Sequence, residues 1–360
     1  MNTGNRFHAG VLAVSLCLWV GSQANAAPVN VEVMTQNLYV GADATPVLEN
    51  PNSATIAAAF QSVVANNFPA RAAAIAAEAA NAGGPLLIGL QEADIISGPG
   101  VTLDYAQILI NALAAQGLHY TEAGVHTGFQ VGVPGFSLTD QEVVLARSPT
   151  DVPGFTITGS EAHTFANNVT FQTPLGPLPL QRGYVLVDAS LDGVPFQFVS
   201  THLDETHSST QALQAGEILS QLNTSNEPQL VVGDFNTNPT QFPFTYAEMV
   251  SAGFTDTAAA LGATGPTCCQ SPDLDNPISQ LTNRYDYVFE RGFSSLHEAL
   301  LVGNTTPFED VRPLWPSDHA GLIATVDLSA VIGTVPEPST AVLVASAIFL
   351  LGTLRLRARM

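Results

Sequence analysis

Short segments with alternating or continuous apolar residues recur along the chain, and Gly, Pro, Asn or Asp residues border most of them. A period of two and short apolar runs are typical of half-buried and fully buried β-strands. The pattern therefore predicts strands at 31–37, 86–90, 142–146, 184–189, 196–201, 230–233, 285–289, 299–302 and 320–326.

Longer segments have the spacing of amphipathic helices. Pro69 opens one of two alanine-rich segments, and proline is favoured in the first turn of a helix. Asp104 stands where it can cap another helix. Strands mixed with helices, without a linker or an internal repeat, predict a single α+β domain over 28–330. The predicted helices are 54–66, 69–81, 104–116 and 208–222.

The N-terminal segment has the three parts of a secretory signal peptide. Arg6 precedes an apolar run at 9–20, and Ala24-Asn25-Ala26 provides a small-residue cleavage site. We expect residues 1–26 to direct export and to be removed. An uncleaved membrane anchor is the alternative.

The C-terminal segment, 335–360, also reads as a targeting signal. Pro336-Glu337-Pro338 is followed by an apolar run at 341–354 and by Arg355, Arg357 and Arg359. This order resembles the PEP-CTERM sorting signal of Gram-negative bacteria. The resemblance implies export to the surface or medium, transient membrane anchoring through the short apolar segment, and processing by an exosortase-type enzyme. An ordinary tail anchor is the alternative.

The charge balance argues against a surface that grips nucleic acid. The chain has 31 acidic residues, ten arginines and no lysine. Between residues 27 and 335, six arginines face thirty acidic residues, a net charge of −24. Such a domain repels polyanions and lacks the basic footprint of nucleic-acid-binding proteins. Divalent cations could still bridge the two.

Two adjacent cysteines, Cys268 and Cys269, remain after the one in the signal peptide. They are too close in sequence to connect distant parts of the chain. A disulfide between neighbours and a pair of free thiols are both compatible with the sequence. A zinc site is not expected, because no second Cys or His pair lies at ligand spacing.

Polar residues that carry chemistry follow or precede several predicted strands. A single Asn or Asp at a strand end usually caps a turn. Repetition at six strand ends instead indicates one shared site, because strand ends on one edge of a sheet lie close together. A cation or shared protons would compensate the gathered carboxylates. These residues are Asn37, Glu92, His202, Asp234, Asn236, Asp286, Asp318 and His319.

The ligand atoms on offer indicate which cation. Glu92, Asp234, Asn236 and Asp318 supply oxygen only, which suits Mg²⁺, Mn²⁺ or Ca²⁺. Two histidines beside such an ion can act as base and acid near neutral pH. The strand fixes Asp234, and a two-residue step along an extended chain would place Asn236 on the same side.

The sequence resembles the endonuclease/exonuclease/phosphatase superfamily, which has the DNase I-like fold, over residues 31–326. The resemblance implies an α+β, four-layer sandwich in which two mixed β-sheets pack face to face, with helices outside and the site on one rim. The motifs that carry it are Asn37, Gln91-Glu92, Thr201-His202-Leu203, Gly233-Asp234-Phe235-Asn236, Arg284-Tyr285-Asp286 and Ser317-Asp318-His319.

The resemblance also implies a role for each residue. Glu92 is expected to be the principal metal ligand with Asn37 beside it, and Asp318 a supporting acid or second-metal ligand. Asp286 would orient His319, which would take a proton from the attacking water. His202 would stabilise the pentavalent phosphate or protonate the leaving oxygen. Asp234 and Asn236 would hold the water and the phosphoryl oxygens, and Arg182 would contact the phosphate.

Together these features predict a secreted, metal-dependent phosphoesterase that acts as a monomer. The substrate would be a phosphodiester or phosphomonoester, with small or lipid phosphoesters favoured by the negative charge over nucleotides and nucleic acids. The alternatives are a secreted nuclease that scavenges phosphate and a non-catalytic surface binding module. The polar segment 267–283 is a candidate lid over the substrate.

Overall fold

The structure is a computed structural model that describes residues 29–174, 176–308 and 313–328. The predicted signal peptide and sorting tail lie outside these residues, and the bounds of the domain at 28–330 stay predictions. None of the helices in the described ranges is long and apolar enough to cross a membrane.

The four predicted helices begin and end within one residue of their predicted bounds, and three short helices at 45–49, 244–251 and 257–261 were not predicted. Asn52 caps α2 through its side chain, and Asp104 caps α4 by accepting a hydrogen bond from the backbone N–H of Gln107. The described helices are α1 (Thr45–Glu49), α2 (Ser53–Ala65), α3 (Phe68–Ala82), α4 (Tyr105–Ala115), α5 (Ser208–Leu222), α6 (Phe244–Ser251) and α7 (Thr257–Leu261).

One mixed sheet is built mainly from the N-terminal half and the C-terminal strands. Its order in the described chain is β15-β16-β1-β2-β6-β3-β4, with β5 also paired to β6. The strands are β1 (Val29–Asn37), β2 (Leu87–Gln91), β3 (Ile95–Gly98), β4 (Val101–Asp104), β5 (Tyr120–Val133), β6 (Phe136–Arg147), β15 (Ser295–Val302) and β16 (Gly321–Leu328).

The other mixed sheet comes from the middle of the chain, in the order β13-β14-β12-β11-β10-β7, and β8 and β9 form a separate hairpin between β7 and β10 in the sequence. The strands are β7 (Phe155–Thr164), β8 (Thr170–Thr173), β9 (Gly176–Pro179), β10 (Gly183–Leu191), β11 (Val194–His202), β12 (Gln229–Asp234), β13 (Thr255–Asp256) and β14 (Asp286–Arg291).

The two sheets pack face to face because both faces of their central strands are apolar. On β12, Leu230 and Val232 point between the sheets, whereas Val231 points towards α5. On β2, Leu87 lies between the sheets and Ile88 lies under α3 and α4. Side chains on successive strand residues face opposite sides, so each central strand serves two cores. The expected four-layer α/β/β/α sandwich is confirmed.

Strand direction explains where the polar strand ends meet. β1 and β2 run parallel, and β11 and β12 run parallel, so each pair ends on one edge of its sheet. Their antiparallel partners β16, β14 and β10 begin at the same edge. Residues scattered from Asn37 to His319 are thus brought to one rim of the sandwich.

Candidate active site

Asn37 and Glu92 lie at the ends of the neighbouring strands β1 and β2. The amide Nδ2 of Asn37 donates to Oε1 of Glu92 (3.1 Å) and to Oδ2 of Asp234 (3.3 Å). The backbone N–H of Val40 donates to Oε2 of Glu92 (2.9 Å). Asn37 therefore bridges the two sheets and fixes two carboxylates that were predicted to share a site.

Gly233 allows Asp234 to approach its neighbours. Its φ is +144°, and a Cβ at this position would lie 1.9 Å from the carbonyl oxygen of Thr201. A residue with a side chain could not take this conformation or this spacing between β11 and β12. Asp234 then stands beside His202 on β11 and opposite Asp286 on β14.

The expectation that an extended chain carries Asn236 to the side of Asp234 is wrong. The strand ends at Asp234, and Asn236 has a left-handed φ of 48°. Its backbone N–H donates to Oδ1 of Asp234 (2.9 Å), and its Nδ2 donates to the carbonyl of Leu203 (3.1 Å). Asparagine tolerates this conformation because its short amide bonds locally. Asn236 still lies at the rim, and its second Nδ2 hydrogen has no acceptor among the described residues.

His319 and Asp286 form the expected pair. Nδ1 of His319 and Oδ2 of Asp286 are 2.8 Å apart, and both side chains are buried. Thr267 Oγ1 accepts a bond from the backbone N–H of Asp286 (3.1 Å). Burial alone would lower the pKa of His319, but Asp286, Asp234 and Asp318 outweigh it and raise that pKa well above its usual value.

His202 has a different neighbour. Its Nδ1 lies 2.9 Å from a guanidinium nitrogen of Arg182. Burial, then Arg182, then His319 lower the pKa of His202 well below the usual value. Arg182 is 5 % exposed. It lies behind His202 at the rim, and a direct contact between Arg182 and a phosphate stays a prediction.

Asp234 lies between the two imidazoles. Its Oδ2 is 3.6 Å from Nε2 of His202 and 3.7 Å from Nε2 of His319. Burial raises the pKa of Asp234 to about 7; Asp286 and Glu92 add to the rise, whereas His319 opposes it. One carboxylate oxygen is thus poised between two ring nitrogens from different sheets.

The donor atoms at the rim fit a hard divalent cation. Nδ2 of Asn37 bonds to the carboxylates of both Glu92 and Asp234, which brings carboxylate oxygens from the two sheets together. Burial raises the pKa of Asp318 to about 7, with Glu92 and Asp286 adding to the rise. Carboxylates that raise one another's pKa carry excess negative charge, which a cation would offset.

Arg71 was not predicted from the sequence. Its side chain, on α3, is fully buried and donates to the backbone carbonyls of Asn66, Leu38, Tyr39 and Pro316. It thereby holds the segments that follow Asn37 and precede Asp318. The available signal was a lone arginine in an alanine-rich helix.

The segment 267–283 borders His319 and is firmly attached. Cys268 and Cys269 are joined by a disulfide, and Sγ of Cys269 lies 3.9 Å from Nε2 of His319. Sequence spacing did not reveal this convergence. Further along, the carbonyl of Pro272 accepts a bond from the Tyr39 hydroxyl (3.0 Å), and that of Asn276 accepts one from Trp315 Nε1 (2.8 Å). A lid role for this segment stays a prediction.

Solved structures share this architecture. An endonuclease/exonuclease/phosphatase family protein from Bacteroides thetaiotaomicron has a TM-score of 0.57 at 18% identity, covering 85% of this chain and 100% of that one. An endonuclease/exonuclease/phosphatase from Beutenbergia cavernae has a TM-score of 0.56 at 21% identity, covering 84% of this chain and 72% of that one. Truncated TDP2 from Caenorhabditis elegans has a TM-score of 0.50 at 15% identity, covering 83% of this chain and 98% of that one. At these identities the likeness shows the fold alone.

Sequence comparison with curated proteins finds no match. The pattern of the Endonuclease/Exonuclease/phosphatase family matches residues 34–319. This span is well over half of the 360-residue chain. The chain therefore belongs to the endonuclease/exonuclease/phosphatase family.

Proposed function

We propose that the protein is an exported phosphoesterase that uses a divalent cation and hydrolyses a phosphodiester or phosphomonoester by in-line attack of water. The observation that carries this proposal is the pairing of His319 with Asp286 at 2.8 Å, facing Asp234 beside Glu92 and Asn37. The proposal is supported because a candidate proton acceptor and a group of acidic side chains lie together on one rim.

His319 is the base in this proposal. The carboxylates that raise its pKa make it a stronger base and stabilise the imidazolium that forms, and it acts in the fraction of the protein whose His319 ring is neutral. In that form Nδ1–H donates to Asp286, so the lone pair lies on Nε2, which faces Asp234. A water held by Asp234 can pass its proton to that nitrogen. Asn236 is positioned by Leu203 and can donate its remaining amide hydrogen to a phosphoryl oxygen.

His202 serves the other side of the reaction. Its Nε2 lies 3.6 Å from the same carboxylate oxygen of Asp234, on the neighbouring strand of the same sheet, whereas His319 approaches that oxygen from the other sheet. A group in this position can donate a hydrogen bond to the phosphoryl oxygens, or it can protonate the departing oxygen.

Glu92 and Asn37 are the residues we assign to the cation, with Asp318 as a supporting ligand. Oxygen donors and surplus negative charge fit Mg²⁺, Mn²⁺ or Ca²⁺. When bound, such an ion neutralises charge on the phosphoryl group and polarises the P–O bonds.

Small or lipid phosphoesters fit the surface better than a long polyanion. Each of the arginines in the described ranges is already engaged within the protein. Arg284 pairs with Asp256, Arg147 with Asp151, and Arg291 donates to Gln229. Arg71 and Arg182 are buried. These arginines therefore offer little charge for gripping a nucleic-acid backbone.

A panel of phosphoesters tests the activity. We expect hydrolysis of bis-p-nitrophenyl phosphate, or of a lipid or nucleotide ester, with added Mg²⁺, Mn²⁺ or Ca²⁺ and none with a chelator. His319→Ala should lower the rate by on the order of 10²–10³ or more. His297→Ala is the matched control, because His297 pairs with Asp327 on β15 and β16, away from the rim.

The same panel separates the alternatives. Cleavage of plasmid DNA at low Mg²⁺ as fast as of the small esters would identify the nuclease instead. A panel without any cation-dependent product would leave the surface binding module. Export with exosortase-type processing is a separate proposal, and mass spectrometry of the secreted protein should find both ends shortened.

A further inference from the structure

A buried arginine sets the hydrogen bonding of His202. A guanidinium nitrogen of Arg182 lies 2.9 Å from Nδ1 of His202. A guanidinium can only donate, so Nδ1 must accept and the ring proton of neutral His202 must lie on Nε2. That Nε2–H is directed at Oδ2 of Asp234, 3.6 Å away.

Arg182 is itself held from several directions. Its backbone N–H donates to Oδ1 of Asn168 (3.0 Å), and its carbonyl accepts from the N–H of Phe165 (3.0 Å). Its guanidinium lies 3.7 Å from Oδ2 of Asp140 and 3.9 Å from Oε2 of Glu205. Glu205 is half exposed, whereas Asp140 is buried on β6 of the other sheet. The Asp140–Arg182–His202 contacts thus connect the two sheets behind the rim.

The packing around Asp140 is built for this ion pair. A Cβ on Gly128 would lie 2.4 Å from Oδ2 of Asp140, so a larger residue there would push the carboxylate out of its present position. Among the described residues, that oxygen has no hydrogen-bond partner. The neighbouring buried Glu142 is bonded to His126 instead. Arg182 is therefore the cation that compensates a buried carboxylate.

We propose that Arg182 and Asp140 are positioning residues that hold His202 as the Nε2–H tautomer, so that His202 acts as a fixed hydrogen-bond donor to the phosphoryl oxygens. This inference rests on the proposed phosphoesterase function and chooses between the two roles that function leaves to His202. Asp140 acts through Arg182, and Arg182 through His202.

The chemistry follows from the tautomer. A neutral imidazole that gave up its Nε2 proton would become an anion beside Asp234, so protonation of the leaving group by His202 is disfavoured. A neutral imidazole can still stabilise charge growing on oxygen as a donor. The reaction balances without a protein acid. One proton of the attacking water passes to His319, and the oxygen of that water bonds to phosphorus. The P–O bond to the leaving group breaks, and the oxygen of the leaving group takes a proton from solvent.

Nitrogen NMR tests the tautomer without any substrate. In ¹⁵N-histidine-labelled protein, the His202 signals are identified by their loss in His202→Asn. We expect Nε2 to show the shift of a protonated nitrogen and Nδ1 that of an unprotonated one. Arg182→Met should give a mixture of tautomers, and Arg182→Lys should restore part of the original signal. The opposite tautomer in the unaltered protein, or an unchanged signal in Arg182→Met, would overturn the inference.

A series of aryl phosphodiesters with leaving groups of increasing pKa tests the role. If His202 is only a donor, His202→Asn should slow every ester by the same factor. A loss that grows with leaving-group pKa would show that His202 is the acid and would overturn the proposal.

Variants of the supporting carboxylates complete the test. Asp140→Asn should reduce kcat by on the order of 10-fold and broaden the His202 signals. Glu205→Gln removes the half-exposed carboxylate near the same guanidinium and should change both much less, because solvent screens it. Equal effects of the two variants would contradict the assignment of Asp140. Absence of any phosphoester hydrolysis would refute the proposed function, whereas the NMR result would still decide the tautomer.

Discussion

The two histidines at the rim differ because of the atom that faces each Nδ1. Nδ1 of His319 faces a carboxylate of Asp286, and Nδ1 of His202 faces the guanidinium of Arg182. The pKa of His319 is raised and that of His202 is lowered from the same starting value. At the scale of single residues, function is thus set by partners that lie behind the reactive atoms.

Asp286→Asn tests the orientation of His319. Asparagine keeps the shape but can present an N–H to Nδ1, which would move the ring proton to Nε2 and remove the base. We expect kcat to fall by on the order of 10²–10³ while the unfolding midpoint changes little. Asp188→Asn is the control. Asp188 lies in the middle of β10, away from the rim, and accepts a hydrogen bond from Gln197 on β11. A loss of activity that merely follows a loss of folded protein would contradict this role.

Arg71→Met tests whether one arginine holds the segments around the site. The variant leaves four buried carbonyls without their donor. We expect a loss of about 3–5 kcal/mol in the free energy of unfolding, measured with urea, and weaker cation binding. Arg291→Met, at the end of β14, should cost less and should leave cation binding unchanged. Equal cation affinity in the Arg71 variant would exclude the positioning effect.

Single residues also show where sequence reasoning stops. His319 and Asp286 were found because both follow recognisable motifs at strand ends. Asp140 lies inside β6 and Arg71 inside α3, where a polar residue in a regular pattern reads as an exposed position. Their burial depends on neighbours far away in sequence, and no local pattern carries that information.

At the scale of elements, local patterns predicted helices better than sheet order. The helix predicted at 208–222 is α5 with the same ends, and the strand predicted at 196–201 lies within β11. The sequence pattern did not predict the long strand β5 as a separate strand, because its exposed, polar residues lack an apolar period. Pairing of β1 with β16 joins residues almost three hundred positions apart, which a period of two cannot specify.

A buried carboxyl on α3 makes the stability of this element depend on pH. Burial raises the pKa of Glu78 from 4.5 to about 7, so the folded protein binds more protons than the unfolded chain between these values. The contribution of this carboxyl to stability is therefore fully present below the lower value and is lost as pH rises through 7. We expect Glu78→Gln to add on the order of 1–3 kcal/mol at pH 8 and little at pH 4.

Thermal or urea unfolding at the two pH values measures this effect. Glu49→Gln, on the exposed end of α1, makes the same change of charge and should alter neither value. An equal shift at both pH values for Glu78→Gln would show that packing, and not the titration of the carboxyl, is responsible.

At the scale of the whole molecule, the strand directions bring the site residues together, and the net charge affects how readily a charged substrate approaches them. The fold places the ends of both parallel strand pairs on one rim, so acidic groups from the two sheets concentrate there. The rest of the surface adds to this charge, since the body of the chain carries −24. An anionic substrate must approach against this field until a cation offsets it.

The dependence of KM on monovalent salt tests this field. For an anionic diester such as bis-p-nitrophenyl phosphate, screening of the repulsion should lower KM by about two- to threefold between low and physiological ionic strength, at saturating Mg²⁺. kcat should stay constant, because the buried site is screened little. A zwitterionic phosphocholine ester is the control and should show almost no change. A KM that rises with salt would mean that the substrate is attracted, as by a basic nuclease, and would reverse the preference for small or lipid phosphoesters.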